Sequence, residues 1–283
     1  MTANSQSPHP NLAQPQLVQP SLFIPHGGGP CFFMDDPAGV WTGMGDFLRH
    51  LLESLPARPK AILLVSAHWE TDGFAFTGHA SPGLIFDYYG FPPHTYELRY
   101  PAPGAPDVAA RAAGLLQAAG FKATVAPEHG LDHGAFIPVM GAAPDADIPG
   151  GEMSLDRSLD PAMHQAAGRA LASLRAEGVL IIGSGFMTHG LPYLNWSAGY
   201  DQAAPKWSAE FDAWAADALR TGDLDTLLRY RDTAPALRYA HPTVDHLLPM
   251  FVTLGAATQS DAPVNTEIDG FWLGLSKRSF AVA

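Results

Sequence analysis

The stretch Ala61-Ile-Leu-Leu-Val-Ser-Ala-His-Trp69 decides the fold class of this 283-residue chain. It opens with an unbroken apolar run, Ala61–Val65, as expected for a strand that is covered on both faces of a sheet. Two further runs, Leu22–Ile24 and Val179–Ile182, have the same character. Longer amphipathic segments lie between these runs and have the spacing of helices. The alternation predicts an α/β fold in which helices flank a central sheet.

The amphipathic segments predict helices over Gly45–Leu55, Pro106–Ala119, Pro161–Glu177, Trp207–Leu219 and Val244–Ala256, with one more strand at Lys122–Val125. Neither an internal repeat nor a Pro/Ser-rich linker interrupts residues 21–283, so we expect a single domain there. Residues 1–20 are rich in Pro, Gln, Ser and Asn. Such a composition predicts a disordered tail.

Composition excludes several classes of protein. The 28 Asp+Glu against 16 Lys+Arg give a net charge of −12, which argues against nucleic-acid and anionic-membrane partners. The single cysteine, Cys31, excludes a disulfide scaffold. No apolar run approaches the ~20 residues of a spanning helix, and the N-terminus lacks the pattern of a secretory signal. We therefore expect a cytoplasmic protein, and the composition leaves a homo-oligomer open.

Three of the 12 histidines follow the apolar runs: His26, His68 and His189. In open α/β sheets, ligands bind at the carboxyl ends of the strands, so these imidazoles are expected to meet at one sheet edge. Glycines flank two of them, at Gly27–Gly29 and Gly183–Gly185, and we expect these glycines to let backbone approach a bound group.

Two more histidines are weaker candidates. Pro242 is favoured at a first helical position, which predicts that His246 lies in the first turn of a helix. His133 lies in a polar loop before an apolar run. The other histidines are left without a role, and His50 and His164 are expected on surface helices.

Several neutral imidazoles suit Fe, Zn, Ni or Cu rather than Mg or Ca, which prefer oxygen ligands. The chain has no closely spaced motif such as His-Glu-x-x-His, so the ligands must come from separate elements. A site of this kind leaves coordination positions open for substrate, which indicates catalysis rather than a structural zinc.

Three neighbouring residues have two interpretations each. Asp132 and Asp245 could orient an imidazole by accepting its second N–H, or could cap a helix. For Cys31, a packed small thiol is favoured over a nucleophile.

Six motifs together carry a resemblance to one family. They are His26-Gly-Gly-Gly-Pro30, Ser66-Ala-His-Trp69, Asp87-Tyr-Tyr-Gly-Phe-Pro92 with Tyr96 and Tyr100-Pro-Ala-Pro-Gly104, Gly130-Leu-Asp-His-Gly134, Ser184-Gly-Phe-Met-Thr-His189 and His241-Pro-Thr-Val-Asp-His246. Over nearly all of residues 21–257, the chain resembles the class III, LigB-type extradiol ring-cleavage dioxygenases, specifically their DOPA-dioxygenase branch. The resemblance implies a central mixed sheet flanked by helices.

The same resemblance implies the roles of the histidines. His26, His68 and His246 would bind one non-haem Fe(II), with Zn(II) found in that site in some members. His189 would be the acid/base histidine that faces the substrate, or a further ligand where zinc is bound. His133 would be a second catalytic histidine that contacts substrate or dioxygen.

One departure from the branch concerns the first ligand loop. The branch commonly has His-Gly-Ser-Pro or His-Gly-Thr-Pro, whereas here Gly28 and Gly29 stand between Gly27 and Pro30. The loop is longer and lacks the hydroxyl, which puts the usual substrate in doubt. We expect Gly28 to lie at the substrate.

Two aromatic residues, Tyr96 and Trp69, are also expected at the substrate, although core packing explains each equally well.

The expected reaction opens the ring of a small aromatic diol with O₂ to a muconic semialdehyde-type product. Two alternatives stay open. A zinc hydrolase could use the same three ligands, with Glu70 as the only nearby general base. A non-catalytic metal-binding relative is the other, but such a protein would need neither His189 nor His133.

Overall fold

The computed structural model describes residues 17–198, 202–257 and 264–283, and within these ranges eight strands form one mixed sheet. The strands, including a separate hairpin of β8 and β9, are β1 Ser21–Pro25, β2 Ala61–Thr71, β3 Phe74–Thr77, β4 Ala123–Ala126, β5 Gly150–Asp156, β6 Val179–Gly185, β7 Val264–Ile268, β8 Phe271–Trp272, β9 Leu275–Ser276 and β10 Ser279–Val282. Their order in the sheet is β4-β3-β5-β2-β6-β1-β10-β7. The central strands β5, β2, β6 and β1 are parallel, and β10 pairs antiparallel to β1.

The helices flank this sheet. They are α1 Thr42–Ser54, α2 Pro106–Ala118, α3 His133–Ala142, α4 Pro161–Leu171, α5 Ser173–Ala176, α6 Lys206–Thr221, α7 Leu224–Leu228, α8 Tyr230–Thr233, α9 Leu237–Ala240 and α10 Leu248–Ala256. Local sequence sets several of their ends. Asp160 caps α4 by accepting the Met163 N–H, and Gly222 ends α6 in the left-handed conformation with φ 68°.

Alternation along the central strands produces two cores. In β1, Leu22 and Ile24 face the layer formed by α1 and α3, whereas Phe23 faces the layer that contains α2, α4, α6 and α10. Close contact within the second layer depends on glycine. A Cβ at Gly255 of α10 would lie 2.0 Å from the Gln165 carbonyl oxygen of α4, so no larger residue fits there without a shift.

Two helices differ from their predicted form. The segment predicted over Pro161–Glu177 is divided into α4 and α5, and the one predicted over Val244–Ala256 begins with a 3₁₀ turn at Asp245–Leu247 before α10. His164 lies on α4, one of the predicted helices, but its side chain faces inwards. Its ring is fully buried under the sheet, where its Nδ1–H donates to the Asp160 carbonyl and its Nε2 accepts the Asp156 N–H. These two bonds satisfy the imidazole.

The expected disordered tail falls mostly on residues 1–16, which lie outside the described residues. Gln19, by contrast, is buried: its side chain donates to the Ala57 carbonyl at 2.8 Å, and its own carbonyl accepts from the buried Arg175 guanidinium at 2.6 Å. The ordered chain therefore reaches back at least to Gln19.

None of the helices in the described ranges is long and apolar enough to cross a membrane.

Candidate metal centre

The register of three parallel strands places two histidines side by side. Strand β6 lies between β1 and β2, and Ser184 is level with Ile24 on one side and Ser66 on the other. His26 and His68 each stand two residues further along, at the carboxyl edge of the sheet. Their Nε2 atoms are 3.1 Å apart. The predicted meeting of these imidazoles at one sheet edge is confirmed.

The sequence predicted that His68 follows the end of its strand, but His68 lies within the strand. Strand β2 continues to Thr71, and its pairing with β5 is irregular between Val65 and Glu70, where His68 lies. Such irregularities change the direction of a side chain and are common near functional sites. The apolar run stops at Val65 and polar residues follow it, a pattern that predicts a strand end there.

His133 is the first residue of α3 and packs against this pair. Its ring centroid lies 4.1 Å from that of His68 and 5.2 Å from that of His26. One ligand nitrogen from each of the three rings lies within 4.8 Å of the others, a geometry that could hold a metal ion.

His246 is a fourth imidazole at the same place. The 3₁₀ turn that carries it docks on the end of β6, where the Phe186 N–H donates to the His246 carbonyl at 2.9 Å. Gly185 allows this approach, because a Cβ there would lie 2.1 Å from the same carbonyl oxygen. The ring centroid is 4.8 Å from that of His68 and 5.2 Å from that of His26. In the described part of the chain the buried Nε2 of His246 has no hydrogen-bond partner.

His189 lies at the side of this cluster. Its backbone N–H donates to the Ala240 carbonyl at 2.7 Å, and its ring stacks on that of His246 with centroids 3.4 Å apart and an interplanar angle of 15°. Burial, reinforced by the neighbouring His241, lowers the pKa of His189 to about 3. The resting ring is therefore neutral at pH 7, and one of its nitrogens has a free lone pair.

Two buried rings of the cluster, those of His26 and His246, are neutral for a physical reason. Burial and, after it, the neighbouring imidazoles lower the pKa of His26 and of His246 well below the ordinary value. Charging His26 or His246 would place a cation in a buried site among other imidazoles. Neutral imidazole is the form that binds a metal ion, so the lone pairs stay available at neutral pH.

The two aspartates beside the histidines have different roles. Asp245 Oδ2 accepts from His246 Nδ1–H at 2.6 Å and therefore orients that imidazole. Asp132 instead caps α3, where it accepts the Ala135 N–H at 3.2 Å and the Ser66 hydroxyl at 2.7 Å. The thiol of Cys31 is buried, and burial raises its pKa, which fits the packed thiol that the sequence favoured.

The predicted substrate-binding residues have packing partners. Trp69 stacks on His129, with ring centroids 3.6 Å apart. Tyr96 lies in an aromatic cluster, and its ring centroid is 5.2 Å from that of Tyr88. At Gly28 a Cβ would lie 2.7 Å from Cη2 of Trp272, so the indole approaches this glycine closely. Their roles at the substrate stay predictions.

Sequence reasoning gave no role to three polar residues near the centre. The Asp87 carboxylate accepts from His133 Nδ1–H at 2.7 Å, and the buried His241 donates its Nε2–H to the Met187 carbonyl at 2.9 Å. Glu152 of β5 is fully buried, and its Oε2 accepts the Asp132 N–H at 3.0 Å. Asp87 and His241 belong to the quoted motifs, whereas no pattern in the sequence marks Glu152.

The sequence profile of the catalytic LigB subunit of aromatic ring-opening dioxygenase matches residues 20–272. The chain belongs to this LigB family. A relative in Beta vulgaris, named 4,5-DOPA dioxygenase extradiol, is 40% identical over 248 residues, which cover 86% of this chain and 88% of the relative. A relative of the same name in Escherichia coli strain K12 is 34% identical over 261 residues, with 90% and 91% covered.

Comparison with solved structures supports the same fold and family. The crystal structure of an uncharacterized Escherichia coli K12 protein matches with a TM-score of 0.75 and 30% identity, covering 94% of this chain and 100% of that chain. The predicted single α/β domain with a mixed sheet flanked by helices is confirmed, and the chain is an extradiol ring-cleavage dioxygenase of the LigB family.

Glu152 leads to a test by pH. Burial, followed by the charge of Asp132, raises the pKa of Glu152 well above its ordinary value of 4.5. The unfolded chain releases this proton near pH 4.5 while the folded protein keeps it, so the wild-type protein loses stability as the pH rises from there towards the folded-state pKa. Glutamine does not titrate. The free energy of unfolding of Glu152→Gln, relative to wild type, is expected to rise with pH by up to ~1.4 kcal/mol per unit.

Urea denaturation of the ion-free protein between about pH 5 and pH 7.5 measures this difference. Glu53→Gln, at an exposed position of α1, is the matched control and should give a difference that does not change with pH. Parallel pH curves for Glu152→Gln and wild type would contradict the raised pKa.

Proposed function

We propose that this chain is a non-haem Fe(II)-dependent extradiol dioxygenase that opens the ring of a catechol-type substrate with O₂ to a muconic semialdehyde-type product. The observation that carries the proposal is the convergence of neutral imidazoles from separate elements at one sheet edge. With three of these imidazoles as ligands, coordination positions are left for a substrate.

The proposed ligands are His26, His68 and His246, with Zn(II) able to occupy the same site. Two observations favour His246: its Nε2 is buried with no hydrogen-bond partner among the described residues, and Asp245 holds its other nitrogen. An orphaned buried nitrogen is costly unless something binds it. The alternative third ligand is His133, whose ligand atom lies within 4.8 Å of those of His26 and His68.

A bound ferrous ion would supply a Lewis acid for the two catechol oxygens and a common centre for diol and O₂. Side chains of the protein would carry out the proton transfers. His189, neutral and stacked beside His246, is proposed to accept a phenolic proton at its imidazole and to return it to a product oxygen. His133 is proposed to contact substrate or O₂.

The substrate class follows from the family and the aromatic surroundings. The relatives are named 4,5-DOPA dioxygenase extradiol. DOPA is 3,4-dihydroxyphenylalanine, so this compound is the first diol to test. Trp69, Tyr96 and Gly28 are proposed to shape the slot for its ring. The hydrolase alternative has little support, because its one candidate base, Glu70, is solvent-exposed and the family opens aromatic rings with O₂.

Reconstitution with iron tests the proposed function. Ion-free protein loaded anaerobically with Fe(II) is expected to consume O₂ in the presence of 3,4-dihydroxyphenylalanine or another catechol and to develop a yellow product absorbance, because ring opening extends conjugation. An oxygen electrode and a visible spectrum record both. Protein loaded with Zn(II), and phenols that lack the second hydroxyl, serve as controls. Absence of O₂ uptake with every diol would refute the proposal.

The identity of the third ligand is open to direct measurement. His246→Ala is expected to lower Fe(II) affinity by at least about 100-fold in competition with a chelator, whereas His133→Ala should lower it far less. His50→Ala, at an exposed position of α1, controls for the loss of an imidazole elsewhere. The reverse order of the two effects would make His133 the ligand and His246 the accessory residue.

The role of His189 separates chemistry from metal binding. His189→Phe keeps an aromatic ring against His246 but removes the base, so kcat is expected to fall about 10²- to 10⁴-fold while iron affinity stays at the wild-type value. Steady-state kinetics and a chelator titration on the same preparation measure the two quantities. A parallel loss of iron would instead identify His189 as a ligand.

A further inference from the structure

We propose that Asp87 is a positioning residue that orients two imidazoles of the centre, His133 and His68, through their outer nitrogens. The inference rests on the proposed function in one respect, because it takes the histidine cluster to be the metal centre. Asp87 acts through these two rings, from the side of their Nδ1 atoms.

A short backbone pairing brings Asp87 to its place. Leu84 forms an isolated parallel bridge with Leu131; the Ile85 N–H donates to the Leu131 carbonyl at 2.7 Å, and the Leu131 N–H donates to the Gly83 carbonyl at 2.8 Å. Asp87 stands three residues after Leu84, and His133 stands two residues after Leu131. The pairing therefore fixes the carboxylate against the start of α3.

The carboxylate is hydrogen-bonded to one ring and lies near the other. Asp87 Oδ1 accepts from the His133 backbone N–H at 3.0 Å and from its Nδ1–H at 2.7 Å. Asp87 Oδ2 lies 3.7 Å from Nδ1 of His68. Because Nδ1 of His133 carries the proton, the lone pair of that ring is on Nε2.

The same arrangement holds for the neighbouring rings. Nδ1 of His26 lies 3.2 Å from the Ser184 hydroxyl. That hydroxyl donates its proton to the Gly134 carbonyl, so its oxygen accepts from His26 Nδ1–H. His246 donates its Nδ1–H to Asp245. The rings of His26, His246 and His133 are thus held from outside at Nδ1, which leaves their Nε2 atoms for the centre. Asp87 does this for His133, and its second oxygen faces His68.

A capping role alone does not explain Asp87. The α3 N-terminus already has Asp132, whose side chain accepts the Ala135 N–H. The segment around Asp87 is also braced for rigidity: the Tyr88 hydroxyl donates to the Thr95 carbonyl at 2.5 Å, and the Phe91 ring covers Gly29. A rigid carboxylate aimed at two ring nitrogens is what orientation of ligands requires.

Two variants of Asp87 test the proposal. Asp87→Ala removes both contacts, and we expect the Nδ1–H form of His133 to lose its dominance and the Fe(II) or Zn(II) affinity to fall about 10- to 100-fold. Asp87→Asn keeps the shape and one acceptor oxygen but loses the charge, so its affinity should lie between those of Asp87→Ala and wild type. Ring ¹⁵N chemical shifts of the ion-free protein report the tautomer, and chelator competition reports the affinity.

Asp72→Asn provides the matched control, because Asp72 pairs with Lys122 on the exposed surface. The isosteric Asp87→Asn keeps the test valid if Asp87→Ala does not fold. Wild-type tautomer shifts together with wild-type affinity in a folded Asp87 variant would overturn the proposal and leave Asp87 as a helix cap. If the wild-type protein binds no ion, the proposed function fails, whereas the tautomer comparison on ion-free protein still decides the role of Asp87.

Discussion

The centre depends on one constraint, the parallel register of β1, β6 and β2. Hydrogen bonding across these strands sets Ser184 level with Ile24 and Ser66, and the next two residues of each outer strand then carry an imidazole to the same edge. A slip of one residue in either pairing would turn a histidine to the opposite face of the sheet. The apolar strands that fill both cores therefore also determine whether His26 and His68 can meet.

Burial determines the chemistry of these imidazoles. Buried among other imidazoles, the resting rings of His26, His246 and His189 do not take up a second, charging proton at neutral pH, because burial lowers the pKa of each. The negative charges stand outside the ring cluster, on Asp87 and Asp245, each hydrogen-bonded to an outer nitrogen. The result is a set of neutral donors held by anionic supports, an arrangement that favours a divalent cation at its centre.

Sequence alone predicted those parts of the fold that depend on apolar periodicity. The runs at Leu22–Ile24, Ala61–Val65 and Val179–Ile182 are strands, because they are buried on both faces and contain no polar residue. Strand β5 was not predicted, because the buried polar residues Glu152 and Ser154 interrupt its hydrophobic pattern. Buried polar residues are satisfied by partners distant in sequence, and no local pattern reveals those partners.

Some features of the candidate site were also predictable from the sequence, whereas others required the structure. The convergence of His26, His68 and His189 followed from their positions after apolar runs and from the topology of α/β sheets. The part played by Asp87 depends on a two-residue pairing between loops that have no periodicity to read. Equally, the choice between capping and orienting for Asp132 and Asp245 was settled only by the hydrogen bonds that each makes.

The contact between Gly28 and Trp272 couples the two ends of the chain. The ring of Trp272, from the hairpin near the C-terminus, occupies the space that a side chain at position 28 would need. A serine or threonine cannot enter the Gly27–Gly29 loop while the indole stays in place. In related sequences the residues at these two positions should therefore change together, so that a hydroxyl in the loop is accompanied by a smaller residue in the hairpin.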